Sequence, residues 1–354
     1  MSEYNITSVD KSDRYMNQMV DALLEKEGIR RDKNLDYTAA MIDDDYNVIA
    51  TGSCFGNTLR CLAVSSDHQG EALMNDIVSH LIEFQYSRGN YHLFLYTKLN
   101  SAKFFASLGF TEIARVEDAN TVFMENKRTG FRDYLDSLQK DLPENYDPTG
   151  KRVAALVMNA NPFTLGHQYL AETASRDADI LHIFIVSEDA SLVPFKIRKK
   201  LVMEGTAQLK NVIYHDSGSY IISSSTFPAY FQKDSTQVIS GQARLDLAVF
   251  RKIAASLGIN VRYVGDEPTS VVTSLYNKIM AEALPESGIQ CCIIPRKAID
   301  GKAISASTVR QALKDGNFTL VKTLVPESTY RWFTSPEAEP VLDKIRKESN
   351  VIHY

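Results

Sequence analysis

The stretch NANPFTLGHQYL, residues 159 to 170, follows directly on the apolar run RVAALVM at 152 to 158. A short apolar run bounded by turn formers reads as a buried strand, and the spacing after Thr164 reads as a helix. Between them the chain turns through two asparagines and a proline. In an open parallel sheet, ligands bind beyond the carboxyl ends of the strands, and this is the first such end in its half of the chain. Thr164 and His167 stand three apart, so a helix starting near Thr164 projects both from its first turn, where unsatisfied amides attract anions. Gly166 between them lets a ligand approach the backbone without meeting a Cβ. The arrangement suits a polyphosphate, with His167 donating a hydrogen bond to the phosphate under attack. The same residues also admit a plainer reading, with Thr164 as an N-cap and His167 as an exposed first-turn side chain.

The pattern around this stretch is that of a doubly wound parallel sheet. Short apolar runs (ILHIFIV, VIYHD, TQVIS, VRYVG, CCIIP) alternate with helical stretches (KIRKKLVMEGTAQL, RLDLAVFRKIAASLG, VVTSLYNKIMAEAL). Near its end comes ISASTVRQAL, 304 to 313, where Ser305 or Ser307 can cap a helix whose first turn holds Thr308 and Arg310. Alone, such a segment is a solvated cap. Paired with the first motif, it is what a nucleotide triphosphate gripped from both sides requires.

Upstream, DLPENYDPTG at 141 to 150 reads as a linker, dividing the chain into domains 1–140 and 151–354. The first is α+β: strands YTAAMI, NVIATGSCF and LRCLAV, a long amphipathic helix, the strand YHLFLYT, and a short helix ending at Leu108. A chain of 354 residues fits two domains, and 44% hydrophobic with 23% charged residues gives no case for disorder. No apolar run approaches the roughly 20 residues of a membrane helix, and the start MSEYNITSVDKSDRYM lacks a signal-peptide pattern. A cytoplasmic location with reduced thiols is expected. A net charge of −5 argues against nucleic acid or an anionic membrane as partner. No His, Cys and Asp spacing suggests zinc, and Cys291 and Cys292, in an apolar strand, read as inert buried thiols.

TLGH (164 to 167) resembles the (H/T)xGH motif of the nucleotidylyltransferase superfamily, and ISASTVR its downstream ISST-x-x-R motif. With FKIRKKLVMEGTA, ISSSTFPAYF, RYVGDEPTSVVTSLYN and IPRKAIDGKAISASTVR, in that order over most of residues 151 to 330, the chain resembles the citrate lyase ligase family. The resemblance implies an ATP- and Mg²⁺-dependent ligase. Acetate attacks the α-phosphate, pyrophosphate leaves, and acetyl-AMP acetylates the thiol of a dephospho-CoA-derived group on the acyl-carrier subunit of citrate lyase. A nucleotidylyltransferase acting on a phosphorylated small molecule is the alternative. Acetate is already ionised at neutral pH, since carboxylates titrate near ~4.3, so the first step needs positioning and charge neutralisation rather than a base. Carried onto this chain, the resemblance implies Thr164, His167 and Arg310 as catalytic residues. It implies Asn159, Ala160, Asn161, Pro162, Phe163, Gly166, Lys196, Arg198, Ser305, Ser307 and Thr308 around ATP, with no resident metal. A lysine such as Lys196 on a helix face is more simply solvated. Ser223 to Thr226 fit either a pocket lining or plain capping.

Residues 1 to 130 resemble the GNAT acyltransferase fold, in which a glycine-rich loop binds the pyrophosphate of CoA. Here that loop offers Gln69, Gly70 and Ala72, with Ala72 and Met74 standing where the family has glycines. Phe105 stands where many members carry a tyrosine acid, and a phenyl ring cannot donate that proton. The expected role is docking of a CoA-like group without acetyl transfer, or a scaffold.

Overall fold

The computed structural model describes residues 4–32, 34–68, 71–187, 191–221, 235–266 and 271–351. Two compact units divide at Phe131/Arg132, and the front of one later helix, up to Ala248, groups with the first. Gln69, Gly70 and the 223–226 hydroxyls lie outside the described residues.

The first unit contains β1 (Asn5–Ser8), α1 (Arg14–Lys26), β2 (Tyr37–Ile42), β3 (Val48–Phe55), β4 (Thr58–Val64), α2 (Glu71–Ser87), β5 (Phe94–Thr97), α3 (Leu99–Ser107), β6 (Thr111–Val116) and β7 (Thr121–Glu125). Its seven strands run in the order β1-β2-β3-β4-β5-β7-β6, antiparallel except where β4 meets β5. That parallel pair holds at two positions only, Thr58 with Phe94 and Leu59 with Leu95. Beyond them the strands part, and a cavity of about 330 Å³ opens, lined by Leu62, Met74, Tyr96, Ser101, Phe104 and Phe105 among others. The sheet packs on α2 through Ile77, Val78 and Leu81, all fully buried.

The second unit continues with α4 (Gly130–Lys140), β8 (Val153–Met158), α5 (Leu165–Asp177), β9 (Ile180–Ile185), α6 (Phe195–Gly205), β10 (Val212–Asp216), α7 (Ser235–Leu257), β11 (Val261–Gly265), α8 (Val271–Ala283) and β12 (Gln290–Ile294). After a two-stranded ribbon, β13 (Ala298–Ile299) and β14 (Lys302–Ala303), it ends in α9 (Ala306–Lys314), α10 (Phe318–Leu324), α11 (Glu327–Phe333) and α12 (Glu339–Lys347). The five-stranded sheet is parallel throughout, in the order β10-β9-β8-β11-β12. Strand order reverses about β8. There β8 pairs with β11 only at Ala154 and Ala155, while it follows β9 to Met158, so a crevice opens where the switch point of a doubly wound sheet lies. The expected α/β class, with an α+β unit ahead of a parallel-sheet unit, is present.

Two expectations differ from the structure. TQVIS, read as a strand from its β-branched residues, forms the start of α7, because cooperative extension of a long helix overrides local propensity. The expected linker packs against the second unit, and α4 joins it there. Tyr134 of α4 stacks on Tyr220 with ring centroids 4.7 Å apart and donates to the Asp216 carbonyl at 3.2 Å. In the 141–150 segment, Tyr146 bonds His182 at 3.0 Å, and Pro148 lies under Gly258, where a Cβ would meet it at 2.6 Å. Among the described residues no helix is long and apolar enough to cross a membrane.

Tyr146 opens a buried relay. His182 Nδ1 lies 2.9 Å from His215 Nε2, and His215 Nδ1 lies 3.1 Å from the Asp141 carboxylate. Both rings are fully buried. Burial lowers the His182 pKa to about 3, with the neighbouring His215 adding to it. Burial also lowers that of His215, against the opposing pull of Asp141. The unfolded chain takes up protons here near ~6.5 while the folded chain does not, so stability present above that pH is lost as pH falls below it. For His182 the expected slope is about 1.4 kcal/mol per pH unit. Urea unfolding midpoints measured between pH 7.5 and 5 check this, and a His182→Gln variant should show a flatter dependence.

Candidate active site at the switch point

The site is built on the turn between β8 and α5. Ala160, 1% exposed, holds φ +50°, a left-handed conformation that costs a non-glycine residue about 1–3 kcal/mol. The next peptide, Asn161–Pro162, is cis. Phe163 then plugs inward, fully buried against α6, where a Cβ on Gly205 would run into its ring.

The flanking carbonyls are held by the two motif arginines. Arg198, fully buried on α6, donates to the carbonyls of Asn159 at 2.8 Å, Val186 at 2.7 Å and Val193 at 2.9 Å. Arg310, buried on α9, donates to the carbonyls of Asn161 at 2.6 Å and Val351 at 2.5 Å. Burial lowers the Arg310 pKa to about 10, so it remains charged at neutral pH. The expectation placed both cations on the triphosphate. In the structure both donate to backbone carbonyls, acceptors that a guanidinium buried this deeply requires. Asn161, Pro162 and Phe163 are likewise interior, and Lys196 stands exposed on the face of α6.

The open side of the turn belongs to the helix start. Thr164 caps α5 with its hydroxyl 3.4 Å from the His167 amide, and His167 Nδ1 answers from 3.1 Å to the Thr164 amide and 2.9 Å to its hydroxyl. The reciprocal pair is a capping box with a histidine in the acidic position. Its chemistry follows directly. A backbone N–H can only donate, so Nδ1 is the unprotonated nitrogen and Nε2 carries the hydrogen. Thr164, only 1% exposed, makes its side-chain contacts with His167. His167 is half-buried and stacks on Phe163. Burial, with the Arg296 cation adding to it, pulls its pKa down to about 4. At neutral pH it is an uncharged N–H donor.

The second motif meets the first. A Cβ on Gly166 would stand 3.2 Å from the Ile304 carbonyl and 3.4 Å from Thr164 Oγ1, so this glycine lets the two segments close rather than only admitting a ligand. Ser305 caps α9, accepting from the Thr308 amide at 3.1 Å, and its hydroxyl lies 2.9 Å from that of Ser307 and 2.8 Å from that of Thr308. Ser305 and Ser307 are half-buried and Thr308 is exposed. Two helix N-termini and a hydroxyl cluster thus meet at the carboxyl end of the sheet. Sequence reasoning passed over Arg296, although an arginine two residues past the end of an apolar parallel strand was a legible signal. Cys291 and Cys292 are half-buried rather than fully buried, and burial raises the Cys291 thiol, which keeps it unreactive. In the first unit, Ala72 is exposed in the first turn of α2, while Met74 and Phe105 line the cavity. Among the described residues no cluster of three or more His, Cys, Asp or Glu is arranged to hold a metal.

The buried arginines generate a stability prediction. Arg198→Ala strips its carbonyls of a charged donor and should destabilise the chain by about 3 kcal/mol, as should Arg310→Ala, while Lys196→Ala should stay within about 0.5 kcal/mol of wild type. Urea denaturation of the three variants measures this.

The family model of the citrate lyase ligase C-terminal domain matches residues 153–333. A [citrate [pro-3S]-lyase] ligase of Haemophilus influenzae is 35% identical over 89% of this chain and 94% of its own. That of Escherichia coli is 37% identical over 81% of this chain and 82% of its own. Among solved structures, Thermotoga maritima TmcAL bound with alpha-thio ATP aligns with 54% of this chain and 57% of its own, at 13% identity and a TM-score of 0.37. The chain belongs to the citrate lyase ligase family.

Proposed function

We propose that the chain joins acetate to the thiol of the prosthetic group on the citrate lyase acyl-carrier subunit, using MgATP as substrate. In the first step an acetate oxygen forms a bond to the α-phosphorus and the bond to the bridging oxygen of the β-phosphate breaks, so pyrophosphate leaves with the electron pair. In the second, the thiol sulfur attacks the acetyl carbon, AMP departs, and the thiol proton passes to solvent. The observation that carries this reading is the fixed tautomer of His167, a neutral donor at a helix N-terminus beside the switch-point crevice. Neither step asks it to move a proton. Its Nε2–H and the amides of α5 meet charge that builds on phosphate oxygens, and the hydroxyls and amides at the start of α9 hold the remainder. Magnesium would enter with the nucleotide as part of the substrate, where it would supply charge neutralisation on the phosphates.

The first unit supports a second part of the proposal. The splay of β4 and β5 gives a cavity suited to a pantetheine arm, and Phe105, buried at its wall, offers no hydroxyl for acid catalysis. We assign it docking of the carrier's thiol arm, which raises the effective concentration of the acceptor without adding a catalytic group.

Acetate-dependent exchange of labelled pyrophosphate into ATP tests the first step. His167→Ala should lower it about a hundredfold, equivalent to ~3 kcal/mol of transition-state stabilisation, in a chain that stays folded with a melting temperature lowered only by loss of the capping contact to Thr164. Exchange that proceeds without acetate but needs a phosphorylated acceptor would identify a nucleotidylyltransferase instead. For the docking role, Ser101→Trp fills the cavity and should raise KM for the acyl-carrier subunit while leaving pyrophosphate exchange intact. Equal carrier acetylation by this variant would make the first unit a scaffold.

A further inference from the structure

We propose that Arg296 is a further cation of the site, pairing with the polyphosphate of ATP and with pyrophosphate as it leaves, a role that rests on the ATP-dependent reaction proposed above. The argument begins from charge. A magnesium-bound triphosphate keeps a net negative charge of about two, and each helix N-terminus offers only about half a positive charge. The two motif arginines donate instead to the carbonyls of Val193, Val186, Asn159, Asn161 and Val351. Buried beneath the turn, these two keep their charge but act on the site from below, so a cation in direct contact with the phosphates is a further requirement.

Arg296 stands where it is needed. It follows β12 at the carboxyl end of the parallel sheet, the end on which such sheets bind ligands. Its Nε donates to the Asp266 carbonyl at 2.7 Å, just past β11, and the Asp266 amide donates to the Ile294 carbonyl at 2.8 Å, so the guanidinium is braced across two strand ends. The adjacent Lys297 carbonyl accepts from the Ile304 amide at 3.0 Å, and the Ile304 carbonyl is the group that crowds Gly166 in the first turn of α5. Arg296, the second motif and the first motif are therefore successive layers of one wall. The Arg296 charge reaches the His167 ring, where it adds to burial in keeping the imidazole neutral. Arg296 is half-buried, whereas Arg198 and Arg310 are buried.

Calorimetric titration with MgATP, on the full chain and on Arg296→Ala and Arg296→Gln, tests the assignment. The glutamine can keep the donor to the Asp266 carbonyl while removing the charge. Both variants should bind MgATP at least tenfold more weakly, and KM for pyrophosphate in the exchange reaction should rise by a similar factor. NMR titration should show the His167 pKa moving up in both, a shift that a merely structural loop residue would not cause. A folded Arg296→Gln chain that binds MgATP within twofold of wild type overturns the inference, as does a wild type that binds no MgATP. A wild type that binds MgATP without acetate-dependent exchange, while both variants lose that binding, keeps Arg296 as the nucleotide cation and overturns the ligase reading instead.

Discussion

Ala160 keeps its left-handed backbone because the carbonyls on either side of it, those of Asn159 and Asn161, are each gripped by a buried arginine. The two arginines come from different helices, α6 and α9, that are far apart in sequence. Each hydrogen bond to a charged donor contributes about 1.5–3 kcal/mol, enough to offset the strain of the turn. What the turn achieves is direction. It ends the buried strand, drops Phe163 into the interior, and releases the chain at Thr164 so that the α5 amides face the crevice beside β8. Arg310 adds a second consequence: by holding Asn161 and the Val351 carbonyl together it fixes the C-terminal segment to the same turn.

The chemistry this geometry favours follows from the state of His167. A histidine with a pKa near 4 is a poor base at neutral pH, and its capping role leaves Nδ1 occupied. It can still donate from Nε2 without a change of protonation as the nucleotide's charge redistributes. Reactions in which both nucleophile and leaving group carry their own charge suit such a site, and attack of a carboxylate on a phosphoanhydride is one of them. Ground-state binding of the nucleotide needs a cation as well, which the neutral imidazole does not supply. With Arg296 in the role proposed for it, positive charge and neutral directional donation would come from different residues, and the same cation adds to burial in holding the His167 pKa down.

Much of this was legible in the sequence. The apolar runs of the second unit fixed a parallel sheet because strands buried on both faces have few polar positions, and the Asn-Pro turn before TLGH marked the end of the first of them. The pairing of the two motifs, 140 residues apart, was legible from two anion-binding helix starts in one sheet unit, and the resemblance strengthened it, while their contact at Gly166 and Ile304 is set by topology. The direction of Arg198 and Arg310 was not legible. An arginine in a phosphate-binding motif and an arginine that clamps carbonyls beneath it share the same residue type and spacing, and only burial tells them apart. TQVIS misled because β-branched residues mark strands only where the sheet has an open position. The grouping of α4 with the second unit escaped because its anchors, Tyr220 and Ser256, lie far along the chain.

The first unit has a sheet with a built-in gap, and Phe104 and Phe105 stand among the residues that border it. Filling an interior with Phe105, edge-on to Phe110 at 6.3 Å, contributes apolar burial that a tyrosine hydroxyl would interrupt unless it found a partner. In the docking role proposed above, a wall of this kind would order the carrier's arm by shape and apolar contact. The second unit in turn activates the acyl group by adenylation, so no acid is required where the arm is held. The docking role proposed for the first unit fits such a division of labour: with the energy of the thioester coming from the nucleotide, the splayed sheet would need to supply recognition only.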